Sequence, residues 1–276
     1  MISIFDIFKI GIGPSSSHTV GPMKAAAAFA DLLNAENLDT QVARIVIEVY
    51  GSLALTGIGH GTFDALLLGL EGSLPHDIPL ADIPQRLERI RTQHVLKLNG
   101  REMAFNPEKD LDIRGDKVLP KHPNGLNFIA YHSDGLKLKE QIYYSVGGGF
   151  IVTDEGFAQE AQENSDVPYP YKNCDELLAQ CRLNQLNISE VVLANEAALA
   201  GCDEVEVRRR VAAVADVMEN CIKRGLGAEG QLPGGLNVRR RAPQLAAKLK
   251  VLRESEIVNT QLWPMVYAMA VNEENA

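Results

Sequence analysis

The sequence changes its pattern partway along the chain, and this change limits the folds that it can adopt. Up to about residue 153, alternating and β-branched segments are mixed with helical ones, whereas the apolar spacing after about residue 173 is helical. Strands gathered in one region of a chain and helices in another favour an α+β fold. We therefore expect an N-terminal α/β sandwich-like domain with a mixed or antiparallel sheet, followed by an all-α region.

Prolines mark the boundary between the two regions. The segment VPYPY at residues 167–171 contains two of them, and proline disfavours regular helix and favours extended chain. We predict a domain over residues 1–153, a linker over 154–172 and the start of an all-α region over 173–276.

Local signals place the individual elements. Strands are predicted at residues 43–50, 95–100, 102–105, 111–116, 126–132 and 136–146, with turns at Asn99-Gly100 and Asp134-Gly135 between some of them. The first long helix is predicted over 23–33, with Thr19 or Gly21 near its cap. Later helices are predicted at 174–182, 189–200, 203–224, 242–252 and 257–271, with Ser189 as one N-cap and fraying at 272–275.

Composition excludes two classes of partner. The chain has 276 residues, and its 27 basic and 36 acidic residues give a formal charge of −9, which disfavours binding to nucleic acid. An uncharged apolar segment long enough to cross a membrane is not found, and the N-terminus does not resemble a signal peptide. We expect a cytoplasmic protein with neither nucleic-acid nor membrane partners.

The four cysteines do not form a recognisable metal-binding pattern. Cys174, Cys181, Cys202 and Cys221 contain no C-x-x-C pair, and their spacings match no zinc motif. Free thiols among apolar helical residues behave as small hydrophobic side chains. We expect structural thiols and no metal site formed by this chain.

The segment GIGPSSSHT at residues 11–19 is the strongest candidate for a binding site. Ser15, Ser16, Ser17, His18 and Thr19 come just before a predicted helix, where hydroxyls and free N–H groups can hold a carboxylate or phosphate. The same residues could simply cap the helix, because Ser and Thr are favoured there. His18 could hold an anion, move a proton or face water.

The segment GSLALTGIGHGT at residues 51–62 is the second candidate. Gly57, Gly59 and Gly61 surround His60, which could act as a general acid or base if its pKa is near neutrality. A glycine-rich turn with an incidental histidine is the alternative. The glycines do not match a dinucleotide-binding or phosphate-loop pattern.

Taken together, several motifs resemble the bacterial iron–sulfur L-serine dehydratases. The motifs are GIGPSSSHTVGPMKA at 11–25, VYGSLALTGIGHGT at 49–62, YYSVGGGFIV at 143–152, VPYPY at 167–171, GLGAEGQLPGGLNVRRRA at 225–242 and AVNEENA at 270–276. The resemblance implies conversion of L-serine to pyruvate and ammonia, in amino-acid catabolism and gluconeogenesis. It also implies a [4Fe–4S] cluster that acts as a Lewis acid on the substrate hydroxyl, and no pyridoxal phosphate.

Carried over by position, the resemblance gives roles to particular residues. Ser15, Ser16, Ser17 and Thr19 match the loop that meets the substrate, and His60 matches the histidine expected to remove the α-proton, with His18 as a second catalytic candidate. The family's cluster cysteines lie beyond the position of Ala276, so we expect this chain alone to lack the cluster and the activity. The family also implies a homodimer.

Two other functions compete with this one. The N-terminal region also resembles the allosteric substrate-binding domain of some phosphoglycerate dehydrogenases, so a stand-alone module that binds serine or another small carboxylate is the alternative. A pyridoxal-phosphate lyase is disfavoured, because no lysine lies in a phosphate-binding context and Lys24 falls inside a predicted helix.

Overall fold

A computed structural model describes residues 3–158, 166–232, 237–253 and 262–274. Its strands are β1 Arg44–Tyr50, β2 Val95–Leu98, β3 Arg101–Ala104, β4 Leu111–Arg114, β5 Gly125–Tyr131, β6 Lys137–Gly147 and β7 Phe150–Thr153. Its α-helices are α1 Ile4–Ile7, α2 Gly21–Ala35, α3 Gly51–Thr56, α4 Thr62–Leu70, α5 Ile83–Glu88, α6 Pro107–Asp110, α7 Cys174–Asn184, α8 Ile188–Ala200, α9 Glu204–Gly227, α10 Ala242–Arg253 and α11 Leu262–Glu274.

The main sheet of the described residues is mixed, which confirms the predicted α+β class. Its five strands are ordered β4-β1-β5-β6-β7, with β1 and β4 parallel and the other neighbouring pairs antiparallel. The parallel pair is possible because α3, α4 and the β2–β3 hairpin lie between β1 and β4 in the chain, long enough for a crossover. The β2–β3 hairpin forms a separate two-stranded sheet.

The core lies between this sheet and the helices α2 and α4. Successive side chains of β1 point to opposite faces of the sheet, and Ile45, Ile47 and Val49 are fully buried on one of these faces. The same cluster includes Phe29 of α2 and Leu66 of α4, so a single hydrophobic core runs through the N-terminal region. Both candidate segments lie beside this core, because each of them adjoins a helix that belongs to it.

All helices and strands described after residue 173 are helices, as predicted, but two details differ from the prediction. The cap of α8 is Asn187 and not Ser189: Asn187 and Glu190 form a capping box across the first turn. The fraying predicted at 272–275 is not seen at 272–274, which belong to α11: Glu273 is buried and accepts N–H bonds from Arg241 and Ala242 at 2.9 and 3.1 Å. Asn275 and the predicted helix start at 257–261 lie outside the described residues. Within the described ranges, no helix combines the length and the apolar content needed to cross a bilayer.

Candidate active site

The hydroxyl-rich segment is itself the start of a helix. A π-helical turn over Ser16–Val20 runs directly into α2, so the helix begins earlier than the predicted residue 23. Ser15 is its N-cap, and the Ser15 Oγ accepts a 3.1 Å hydrogen bond from the His18 N–H. The cap is therefore Ser15, where Thr19 or Gly21 was predicted.

The first turn of this helix presents main-chain donors. The N–H groups of Ser16 and Ser17 donate to no group among the described residues. Ser16 is exposed and Ser17 is half-buried. Unpaired N–H groups at a helix N-terminus carry partial positive charge and attract anions. This end of the helix can therefore hold a small carboxylate.

His60 lies in the turn between α3 and α4, in a defined orientation. Its Nδ1 is 2.9 Å from the Thr56 carbonyl oxygen. A carbonyl can only accept, so Nδ1 carries the proton, and the Nε2 of the neutral ring is unprotonated. No described residue forms a hydrogen bond with His60 Nε2, which leaves its lone pair available to take up a proton.

His18 packs directly against His60. The two ring centroids are 4.8 Å apart and the rings are tilted by 40°. Burial lowers the pKa of His18 from its ordinary value of 6.5, the charge of His60 lowers it further, and the hydrogen bond to Ser52 opposes both. His18 is therefore neutral at pH 7, and a proton on one ring disfavours a second proton on the other.

Hydroxyls hold both nitrogens of His18. Ser17 Oγ lies 2.9 Å from Nδ1, and Ser52 Oγ lies 3.1 Å from Nε2. No pattern in the sequence marks Ser52, although it stands inside the segment at residues 51–62. Only the folded chain shows which hydroxyl of that segment meets His18, because Ser52 and Ser17 belong to different elements.

Thr19 and Thr62 connect the two segments. Thr19 is 2 % exposed, and its hydroxyl donates to the His60 carbonyl at 2.7 Å while accepting from the Ser15 N–H at 3.2 Å. Thr62 is fully buried and donates to the His18 carbonyl at 2.6 Å. The predicted contact with substrate could use Thr19 Oγ1 as a donor to a carboxylate only if the hydrogen bond to the His60 carbonyl broke.

Ser145 of β6 is hydrogen-bonded to the first turn of this helix. Its Oγ donates to the Ser17 carbonyl at 2.7 Å. The approach is close because the neighbouring residue on the helix is Gly21: a Cβ at that position would lie 2.0 Å from Ser145 Oγ. No local pattern signals this contact, because β6 and the helix are far apart in the chain.

A cavity of about 720 Å³ is lined by Thr19, but not by His18, His60 or the residues Ser15–Ser17. Gly59 and Gly61, on either side of His60 in the chain, line one wall, and Val217 and Met218 of α9 line another. This volume is within the range of small-molecule sites. The cavity places a ligand-sized space between the N-terminal and the helical regions, next to the segment that carries His60.

The donor set of the described residues does not fit a metal centre. No three His, Cys, Asp or Glu side chains in these ranges come together in a way that could hold an ion. The four thiols are all free: Cys221 is buried, Cys174 is exposed and Cys181 and Cys202 are intermediate. An iron–sulfur cluster is normally held by several thiolates, so these cysteines do not fit one.

Comparison with known proteins matches both regions of the chain. Residues 3–156 match the family described as serine dehydratase beta chain, and residues 183–276 match serine dehydratase alpha chain. The chain is 44% identical over 278 residues to an L-serine dehydratase of Streptomyces coelicolor, covering 100% of this chain and 60% of that protein. It is 44% identical over 281 residues to L-serine dehydratase 2 of Escherichia coli, covering 100% and 61%.

A more distant relative gives the same picture. The L-serine dehydratase of Helicobacter pylori is 38% identical over 280 residues, covering 99% of this chain and 60% of that protein. The chain thus spans about three fifths of the length of the curated relatives it matches. With the beta-chain match covering more than half of its residues, the chain belongs to the serine dehydratase family.

Proposed function

We propose that this chain acts in the elimination of water from L-serine, as an L-serine ammonia-lyase. The observation that carries the proposal is the His60 ring, whose Nδ1 is tied to the Thr56 carbonyl and whose Nε2 is left as a free base. The names of the relatives, which are L-serine dehydratases, support the choice of substrate.

The substrate carboxylate would bind at the start of the first long helix. The Ser16 and Ser17 N–H groups and the helix dipole supply the donors, and the exposed Ser16 hydroxyl can add another. Ser15 contributes indirectly, because its Oγ already accepts from the His18 N–H. Fixing the carboxylate in this way would present the α-carbon to a neighbouring base.

His60 is our candidate for that base. Removal of the α-proton by Nε2 would place the positive charge on a ring whose neighbour, His18, is neutral because burial lowers its pKa. Loss of hydroxide from the β-carbon then gives an enamine, which tautomerises to an imine and hydrolyses to pyruvate and ammonia. His18 is our second catalytic candidate, and its hydrogen bonds with the Ser17 and Ser52 hydroxyls support a role in exchanging a proton through one of them.

The resemblance also implies a [4Fe–4S] cluster that would polarise the leaving hydroxyl. Since the cysteines of this chain do not fit such a cluster, we derive no step through it. The absence of pyridoxal phosphate remains an expectation; the Lys24 amine donates to the Gly149 carbonyl at 2.8 Å.

The remaining expectations accompany this proposal. They are the division into residues 1–153, 154–172 and 173–276, a cytoplasmic location, a homodimer and a place in amino-acid catabolism. The cavity is lined by residues from both 1–153 and 173–276, which supports a site to which both ranges contribute.

The proposal is tested by anaerobic assay of pyruvate formation from L-serine, in a protein in which this chain is extended by the part of its relatives that it does not cover. Binding of L-serine is measured in parallel by calorimetry. His60→Gln is expected to bind L-serine but to lose turnover by about a hundredfold or more, the range typical of a general base. His132→Gln is the matched control, because His132 lies in the β5–β6 turn and pairs with Asp134. Unchanged turnover in His60→Gln would contradict the role of the base. Binding of L-serine without turnover in the extended protein would favour the small-carboxylate module instead.

A further inference from the structure

Two threonines form a reciprocal pair of hydrogen bonds across the candidate site. Thr19, the residue after His18, donates to the carbonyl of His60 at 2.7 Å. Thr62, two residues after His60, donates to the carbonyl of His18 at 2.6 Å. Each histidine therefore has its main-chain carbonyl held by the threonine that accompanies the other histidine.

Burial makes both hydrogen bonds hard to replace. Thr19 is 2 % exposed and Thr62 is 0 % exposed, so water has little access to either hydroxyl. Removing such a donor leaves the carbonyl without this partner in a region that water reaches poorly, which costs more than the bond itself contributes. The β-branch of threonine also restricts χ1, so each hydroxyl has few alternative directions.

The pair links segments that are far apart in sequence. The two bonds join residues separated by 41 and 44 positions. A third hydrogen bond between the segments, that of His18 Nε2 with Ser52 Oγ at 3.1 Å, involves a reacting group itself. The threonine bonds involve main-chain carbonyls, so they can set the spacing of the segments independently of the protonation of either ring.

We propose that Thr19 and Thr62 are positioning residues, which hold the His18 and His60 main chains at the separation that keeps the two rings in contact. The catalytic consequence of this inference rests on the proposed function. The positioning of the two rings can be tested by a measurement that does not need an active enzyme. It gives Thr19 a different task from the substrate contact predicted for it, since its hydroxyl is already used by His60 and Ser15.

The test uses the imidazole NMR signals of the full chain, assigned with His18→Gln and His60→Gln variants. Thr62→Val keeps the shape of the side chain and removes the donor, whereas Thr62→Ser keeps the donor. His60 is the titratable group that faces His18, while Ser17 and Ser52 face it with hydroxyls. We expect Thr62→Val to move the His18 pKa back toward its ordinary value, because separating the rings removes the lowering by His60, while the lowering by burial remains. Thr62→Ser should titrate as the unsubstituted chain does.

Thr92→Val is the matched control. Thr92 also donates to a carbonyl, that of Glu88 at 2.7 Å. Both residues belong to the same helical segment, which is away from the site. The control should leave the His18 and His60 signals unchanged. Equal titration of His18 in Thr62→Val and in the unsubstituted chain would overturn the proposal.

Folding must be separated from positioning. Circular dichroism establishes whether each variant is folded, and Thr62→Ala, which leaves room for water at the His18 carbonyl, replaces Thr62→Val if the valine variant is not. Loss of the fold in both, with Thr62→Ser folded, would assign Thr62 to general stability and would also overturn the proposal. If the NMR change occurs but the extended protein of the activity assay does not turn over L-serine, the positioning stands and the proposed function fails.

Discussion

Glu196 of α8 holds the start of the chain against the helical region. Its carboxylate accepts a 2.7 Å hydrogen bond from Ser3 Oγ and a 2.8 Å bond from the Ile4 N–H, at the beginning of α1. The Glu196 residue is 1 % exposed. A carboxylate at the N-terminus of a helix is favourable because it faces the partial positive charge of the unpaired N–H groups.

The first prediction concerns this contact. Glu196→Ala should lower the free energy of unfolding by about 2 kcal/mol, because two charge-assisted hydrogen bonds are lost while α1 can still turn its donors to water. Urea denaturation measures the change. Glu219→Ala, on the exposed surface of α9, should change it by less than about 0.5 kcal/mol. Equal effects of the two substitutions would show that the contact to α1 does not contribute.

The second prediction concerns pH. The pKa of His18 is lowered from 6.5 in the folded chain, chiefly by burial and then by His60. The unfolded state therefore binds a proton at a higher pH than the folded state does, so stability falls as the pH drops through 6.5 toward the folded pKa. His18→Gln should make the urea midpoint less dependent on pH in this window and leave the dependence above it unchanged. An identical pH dependence in both chains would contradict the lowered pKa.

The third prediction concerns the contact between Gly21 and Ser145. A Cβ on Gly21 would lie 2.8 Å from Ser145 Cβ as well as 2.0 Å from its Oγ, so Gly21→Ala should destabilise the chain by about 2 kcal/mol through overpacking. The residue has helical dihedral angles (φ −59°), so alanine itself is acceptable to the backbone. Thermal unfolding measures the effect.

Two further variants make this prediction specific. Gly21→Ala should cost much less in a Ser145→Gly background than in the unsubstituted chain, because the colliding side chain is already removed there. Gly227→Ala, where a Cβ meets no atom within 4 Å, should be neutral or slightly stabilising. An equal cost of Gly21→Ala in the two backgrounds would show that the loss does not come from Ser145.

Local patterns were sufficient to predict much of the fold. The predicted turn at Asn99-Gly100 joins β2 to β3, and its residues have φ values of 48° and 82°, which these residue types tolerate. The alternating, β-branched segment at 43–50 predicted a strand, and β1 forms there. These features depend on neighbours in the sequence, so the residue types alone are enough to indicate them.

Features that depend on distant partners were predicted less well. Residue types at Asn272–Asn275 favoured fraying, yet Glu273 caps α10 because Arg241 and Ala242 come within hydrogen-bond distance of it. Ser189 was a reasonable cap by residue type, but Asn187 forms the capping box with Glu190. Several residues near a helix start can serve as caps, and backbone geometry selects among them.

The candidate site shows the same division. Residue types alone identified the hydroxyl-rich segment at 11–19 and the glycine-rich segment around His60, because anion binding and proton transfer need those groups. Packing of α2 and α4 into one core decided that His18 and His60 touch and that Thr19 points at the His60 carbonyl. Such contacts join residues about forty positions apart, and burial rather than local preference determines which hydroxyl meets which carbonyl.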